Sequence, residues 1–264
     1  MFGMLRCLWD YRGFVISSIG NEFAARFARS RLGGLWMIIH PLSQVAIYAL
    51  ILSNVLAAKL PGIDNKYAYA LYLMAGMLAW NLFSEIISRC LTLFIEQGNL
   101  MKKMLFPRIT LPVIVMGSAL LNNLLLFIAM LVVFALLGQT PNLQMVWLLP
   151  LTLAVVALAM GIGLILGVLN VFVRDIGQVV PILLQIWFWF TPVVYPVTII
   201  PEELKSAVNA NPMYSIVSAY HDILVYGKVP DLQQVTITVL VAIGLMLLGL
   251  FMFRRAAPEM VDAL

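Results

Sequence analysis

Residues 146–173 read VWLLPLTLAVVALAMGIGLILGVLNVFV, a run without a single charged side chain. A helix needs about 20 apolar residues to cross roughly 30 Å of hydrocarbon, and this run exceeds that length. In lipid every backbone N–H and C=O must find its partner inside the segment, so the run is read as a helix. Five further stretches pass the same test: 35–58, 68–95, 109–138, 176–200 and 235–253. They are too long, and alternate too little, to be barrel strands. Across 264 residues 63% are hydrophobic and 11% charged, against about a quarter charged in soluble domains, which excludes an ordinary soluble protein. Cys7 and Cys90 are too few for a disulfide framework and have no metal-ligand spacing. The expected fold is all-α integral membrane, one domain over 1–264 with six transmembrane helices.

The segments between the runs set the orientation. Residues 1–34, 96–108, 174–175 and 254–264 hold eleven of the sixteen Lys and Arg side chains, whereas 59–67, 139–145 and 201–234 hold four. Positive charge stays on the cytoplasmic side, so both termini are expected there. Residues 1–15 contain Arg6, Asp10 and Arg12 and no continuous apolar core of the kind a cleavable leader needs.

Residues 14–31, FVISSIGNEFAARFARSR, place Ile16, Ile19, Phe23 and Phe27 on one stripe and Ser18, Glu22, Arg26 and Arg29 on the other. That is an amphipathic helix suited to the cytoplasmic interface, both as an anchor and as a surface for a partner. The connection 96–108, EQGNLMKKMLFPR, carries the apolar Met101, Met104 and Leu105 among Lys102, Lys103 and Arg108. It either docks in a partner's groove or folds back on the headgroups. The fifth run contains Pro181, Pro192, Pro196 and Pro201, and proline removes a backbone donor and kinks a helix. Its outer half is expected to break from Pro192 on. Residues 201–230 are too polar to span and read as two short helices, parting near Asn211-Pro212, that dip into the outer face and return.

Polar side chains inside a membrane are costly and face protein or water. His40, Gln44 and Tyr48 recur every four residues on the first run; Gln178, Gln185 and Trp189, with Ile182 between the two amides, follow one helical face on the fifth, flanked by Trp187 and Phe190. Neutral amides interleaved with rings suit a sugar chain, since rings stack on C–H faces and amides exchange hydrogen bonds with hydroxyls. The same residues also serve as interface belts and packing fillers. Glu85 and Arg89 form an i, i+4 pair, a clamp in preference to a proton relay because no further acid continues along that face. Gly163 and Gly167 permit close helix approach, within the chain or at a dimer seam. Asn122 and Asn123 are placed to bond across helices.

No GxSxG, HExxH, CxxC or Walker A pattern is found, so no catalytic residue or metal ligand is assigned. Active transport would draw its energy from another chain or from an ion gradient, and the scarcity of embedded acids weakens the second option. Six helices are few to enclose a wide path, and pairing two copies about an axis would supply one.

The stretches RSRLGGLW (29–36) with His40-Pro41, NLMKKMLFPR (99–108), NVFVRDIGQVVPILLQIWFWFTPVVYP (170–196) and NPMYSIVSAYHDILVYGKVP (211–230) resemble the permease subunits of ABC-type polysaccharide exporters. The last two resemble the O-antigen branch more than the capsule or teichoic-acid branches. The resemblance implies a homodimeric permease in the bacterial inner membrane with two cytoplasmic ATP-binding cassette subunits, which use ATP and Mg; the permease itself holds no cofactor. It implies an undecaprenyl-linked glycan as cargo, and no nucleic acid. Arg26, Arg29, Met101, Lys102, Lys103, Met104 and Arg108 would couple to the ATPase. Pro192, Tyr195, Pro212, Tyr214 and Tyr220 would belong to a periplasmic gate in 201–230 and its approach. The first and fifth helices would line the path. His40 departs from the acidic or amide residue common before that proline. Two rivals stand beside this reading: a membrane transferase acting on lipid-linked sugars, for which Glu202, Glu203, His221 and Asp222 are the candidate groups, and an exporter of small amphiphiles.

Overall fold

The computed structural model describes residues 9–27, 68–103, 107–136 and 142–263, with scattered positions between 32 and 47. Among the described residues the architecture is helical, without strands. Of the expected spans, 35–58 lies largely outside them. Four others form helices long and apolar enough to cross a membrane. These are α2 (Ala68–Glu96), α4 (Thr110–Leu136), α5 (Leu148–Phe172, entered through a 3-10 turn at Leu143–Trp147) and α9 (Leu232–Ala263). Around them lie the N-terminal helix α1 (Arg12–Phe27), the short α3 (Gly98–Lys103), α6 (Ile176–Phe190), α7 (Glu202–Asn209) and α8 (Pro212–Leu224).

Helix α2 is the axis of the bundle. Nearly its whole circumference is buried, including Phe83, Ile86, Ile87, Cys90 and Phe94. Helix α5 packs between α2 and α9, and α4 between α2 and α1. The α5 contacts depend on glycine. A Cβ at Gly161 would sit 2.5 Å from the Leu245 carbonyl carbon, and one at Gly249 would sit 2.6 Å from the Gly161 oxygen. The Gly163/Gly167 pair is used within the chain, against α2: a Cβ at Gly163 would lie 2.9 Å from the Cys90 Cβ, and one at Gly167 would strike the Cys90 carbonyl oxygen. Without a hydrophobic driving force between helices in lipid, such close approach is a main source of association. Asparagines add hydrogen bonds: Asn122 donates to Glu85 Oε1 (2.6 Å), Asn123 to the Leu78 carbonyl (2.9 Å) and Asn170 to the Leu91 carbonyl (2.8 Å).

The fifth expected span, 176–200, is not one helix. Helix α6 stops at Phe190, and at about 1.5 Å per residue its length is roughly 22 Å, short of a bilayer's hydrocarbon. Thr191 turns its hydroxyl back to the Trp187 carbonyl (2.9 Å). Pro192 and Pro196 then deny the chain the backbone donors a continuing helix would use.

Candidate functional site

At the end of the bundle where α2 meets α3, helix α1 docks on α4. The sequence expectation put Ile16, Ile19, Phe23 and Phe27 on one apolar stripe suited to the membrane interface and Glu22 on the opposite face. Val15 is buried and Ile16 is 68% exposed, while Ile19 contacts Gly117 and Glu22 turns inward. Glu22 pairs with Arg89 and accepts a hydrogen bond from Ser118 (2.8 Å). Glu85 stands 3.7 Å from the same guanidinium. A half-buried guanidinium needs a counter-ion, and Glu22 supplies it from α1. The Glu85–Arg89 clamp is therefore a joint across three helices rather than within one.

The segment after α2 is anchored rather than displayed. Met101 is 3% exposed, so it fills the bundle and is not presented to a partner's groove. An apolar side chain next to an open core edge finds its own helices first. Arg108 donates to the Ala257 carbonyl of α9 at 2.5 Å, and at the start of α4 the Thr110 hydroxyl donates to the Pro107 carbonyl (2.7 Å). Lys102 is exposed. The Arg26 and Lys103 side chains, with Arg29 and Met104, lie outside the described residues.

Helix α6 presents an open face. Gln178, Gln185, Trp189 and Phe190 are exposed, the last two by 52% and 53%. His40 is exposed, whereas Gln44 and Tyr48 fall outside the described residues. Trp187 points the other way. Its ring meets Phe83 edge-on at 5.0 Å and its Nε1 donates to Asn211 Oδ1 at 2.9 Å. It is a tie between α6 and α8, not part of the open face.

Asn211 is a hub that the sequence reading passed over as a break. It caps α8 by accepting from the Met213 amide (3.0 Å), with Pro212 at the first helical position, and it donates to Thr191 Oγ1 (2.9 Å). The Asn-Pro pair is the sequence signal that marks it as an N-cap. Pro192 is buried. Tyr195 donates to the Trp189 carbonyl (2.5 Å). Tyr220 is buried against Thr152, with 2.8 Å between the hydroxyls, and Tyr214 is half-buried on α8. From α2, Tyr69 donates to the Val194 carbonyl and Tyr72 to the Tyr195 carbonyl (3.1 Å). The post-α6 segment is thus held to α2 by two phenols.

Beside these phenols, His221 of α8 stacks on Tyr72 with centroids 3.6 Å apart. Burial pushes its imidazole down to about 3, against the opposing pull of the Tyr72 backbone, so His221 is neutral. Burial raises the Asp222 carboxyl, and Lys228 partly offsets this. Of the four groups considered for a transferase, Glu202 is engaged by Lys205 at 2.5 Å on exposed α7. Among the described residues no group of His, Cys, Asp or Glu could hold a metal.

Comparison with known proteins places this arrangement. A model of the ABC-2 type transporter family matches residues 15–225. The chain is 29% identical to the O-antigen export system permease protein RfbA of Myxococcus xanthus over the full length of both. It is 30% identical to RfbA of Klebsiella pneumoniae over 92% of each chain. Against the polysialic acid transport protein KpsM of Escherichia coli the identity is 24%, over 92% of this chain and 93% of the other. The protein is a multi-pass membrane protein and belongs to the ABC-2 type transporter permease family.

Proposed function

We propose that this chain is the transmembrane half of an ATP-driven exporter that moves a lipid-linked polysaccharide of the O-antigen class across the bacterial inner membrane to the periplasm. The observation that carries the reading is the end-to-end similarity to an O-antigen export permease. Two copies would face each other, with the first helix and the exposed face of α6 lining the path. Gln178, Gln185 and Trp189 on that face have the mixed amide and aromatic chemistry a sliding glycan needs. The excess of Lys and Arg at 1–34, 96–108, 174–175 and 254–264 supports cytoplasmic termini and six crossings, and membership of the ABC-2 family supports an ATP-binding cassette subunit beneath each copy. In that orientation α7 and α8 are the outer gate, re-entering the membrane between the fifth and sixth crossings. ATP and Mg act in the partner, whose strokes reach the permease through α1 and the 96–108 segment. The likeness to a polysialic acid transporter makes a capsular polymer the second reading of the cargo.

The test is reconstitution. The chain, its partner ATPase and a lipid-linked glycan are sealed in proteoliposomes, and lumenal glycan is counted with and without ATP. Accumulation that requires ATP and both proteins is expected. Full transport by the permease without any ATPase would overturn the proposal.

A further inference from the structure

Where α8 passes the start of α2 there is a cavity of about 200 Å³, walled by the rings of Tyr72, Tyr214 and Tyr226 and by Ser218, His221 and Asp222. Its far wall is the Pro192–Thr198 segment. We propose that this cavity is a subsite for one neutral sugar ring of the glycan. The inference rests on reading the chain as a glycan permease and adds a place where the outgoing polymer is held.

The lining has the two-sided chemistry of a pyranose. Flat phenol rings meet the C–H faces, and a carboxylate with a hydroxyl at the margin accepts and exchanges hydrogen bonds with the ring's hydroxyls. The volume is below that of pockets for drug-sized ligands, about 300–1,000 Å³, which excludes a lipid tail or a folded oligomer and leaves room for a single ring. A cation is disfavoured, because Tyr226 already carries the Lys228 ammonium over its ring, 5.8 Å from the centroid, and a second positive charge would be repelled.

The walls are set before any ligand arrives. The Tyr72 hydroxyl holds the far wall at the Tyr195 carbonyl. Tyr226 is placed by the end of α8, where the Tyr226 and Lys228 amides return to the His221 and Asp222 carbonyls (3.2 and 2.8 Å). Gly227, with φ +61°, makes that turn, a conformation costly for residues with a side chain. Preformed walls spare the ordering cost of binding. The far wall is also tied to the open face of α6, through the Tyr195 hydroxyl on the Trp189 carbonyl.

Binding and export can be read separately. The full permease with its ATPase, in lipid nanodiscs, is probed by saturation-transfer NMR with glucose, galactose, mannose, N-acetylglucosamine and rhamnose. Transfer to the ring protons of at least one sugar is expected. Ser218→Trp, which fills the space, should abolish it. Asp222→Asn should weaken it about tenfold, the effect of losing one charged hydrogen-bond acceptor, with the melting temperature unchanged. The Asn variant keeps the test decisive if the Trp variant does not fold. No transfer to any sugar on the wild type, equal transfer in Asp222→Asn, or displacement of the sugar by tetramethylammonium would each overturn the subsite. Export by the same complex in proteoliposomes without sugar binding sinks the subsite and leaves the permease; sugar binding without export does the reverse.

Discussion

Arg89 of α2 and Glu22 of α1 are ion-paired across the junction of the N-terminal helix with the bundle, with side-chain exposures of 21% and 30%. Ser118 of α4 completes the joint on Glu22. The N-terminal helix is therefore locked to two membrane helices by charge, and a force applied to α1 reaches α2 and α4 without passing through the 96–108 segment. Arg89→Ala is expected to cost about 1.5–3 kcal/mol, the range of a charge-assisted hydrogen bond left without its partner. Glu22→Gln should cost less, because the amide still accepts from Ser118. A double-mutant cycle of thermal unfolding in detergent checks this, and additive single effects would contradict the joint.

Gly161 and Gly244 lie on the two long helices that pack together, yet their surroundings are opposite. Gly161→Val would drive a side chain into the α9 backbone at Leu245 and Met246, whereas nothing lies within 4 Å of a Cβ at Gly244. The first substitution should destabilise by about 1–3 kcal/mol or more through overpacking. Gly244→Ala should be neutral or stabilise by up to about 1 kcal/mol through helix propensity. Melting temperatures of the two variants in one detergent decide it.

Trp187 and Trp189 should separate cleanly. Trp187→Ala removes the contact with Phe83 and leaves Asn211 Oδ1 without its indole donor, so a loss of about 3 kcal/mol is expected. Trp189→Ala, on the exposed face, should leave the melting temperature within about 1 °C while slowing glycan export. Asn211→Ala should resemble Trp187→Ala in stability, and Asn211→Asp, which keeps both acceptor roles, should be milder. Unfolding curves together with the transport assay test all four.

His221 imposes a pH limit on folding. Its folded pKa, about 3, lies below the ordinary histidine value of about 6.5, so the unfolded chain binds a proton that the folded chain refuses. Stability from this site is complete above about pH 6.5 and falls toward pH 3, at up to about 1.4 kcal/mol per pH unit. His221→Phe, whose ring can keep the stack on Tyr72, should flatten that slope. Unfolding midpoints between pH 7 and 4 measure it, and parallel slopes for the two proteins would contradict the assignment.

Freeing Arg108 should uncouple the two halves of the exporter. Arg108→Ala removes the bond to the Ala257 carbonyl that ties the end of the 96–108 segment to α9. ATP hydrolysis by the assembled complex should persist while glycan moved per ATP falls severalfold, and Arg108→Lys should restore part of the yield. Hydrolysis and lumenal glycan counted in the same vesicles give the ratio.

Hydropathy was enough to place α2, α4, α5 and α9, because a run of about 20 residues or more with almost no charge has one way to satisfy its backbone in lipid. The prolines after Phe190 and the Asn211-Pro212 pair announced where the outer segments break, since proline's missing donor is a local property. What periodicity left open was the partner of each face. The stripe through Ile16 ranked the faces of α1 by apolarity, but the burial of Glu22 answers to Arg89, 67 positions away. Trp187 and Trp189 are two residues apart in one aromatic run, and only the packing of α8 sends one inward and leaves the other open. Helix formation is written in neighbouring residues; which face turns inward depends on charges and glycines brought together from distant parts of the chain, and only the packed bundle holds that information.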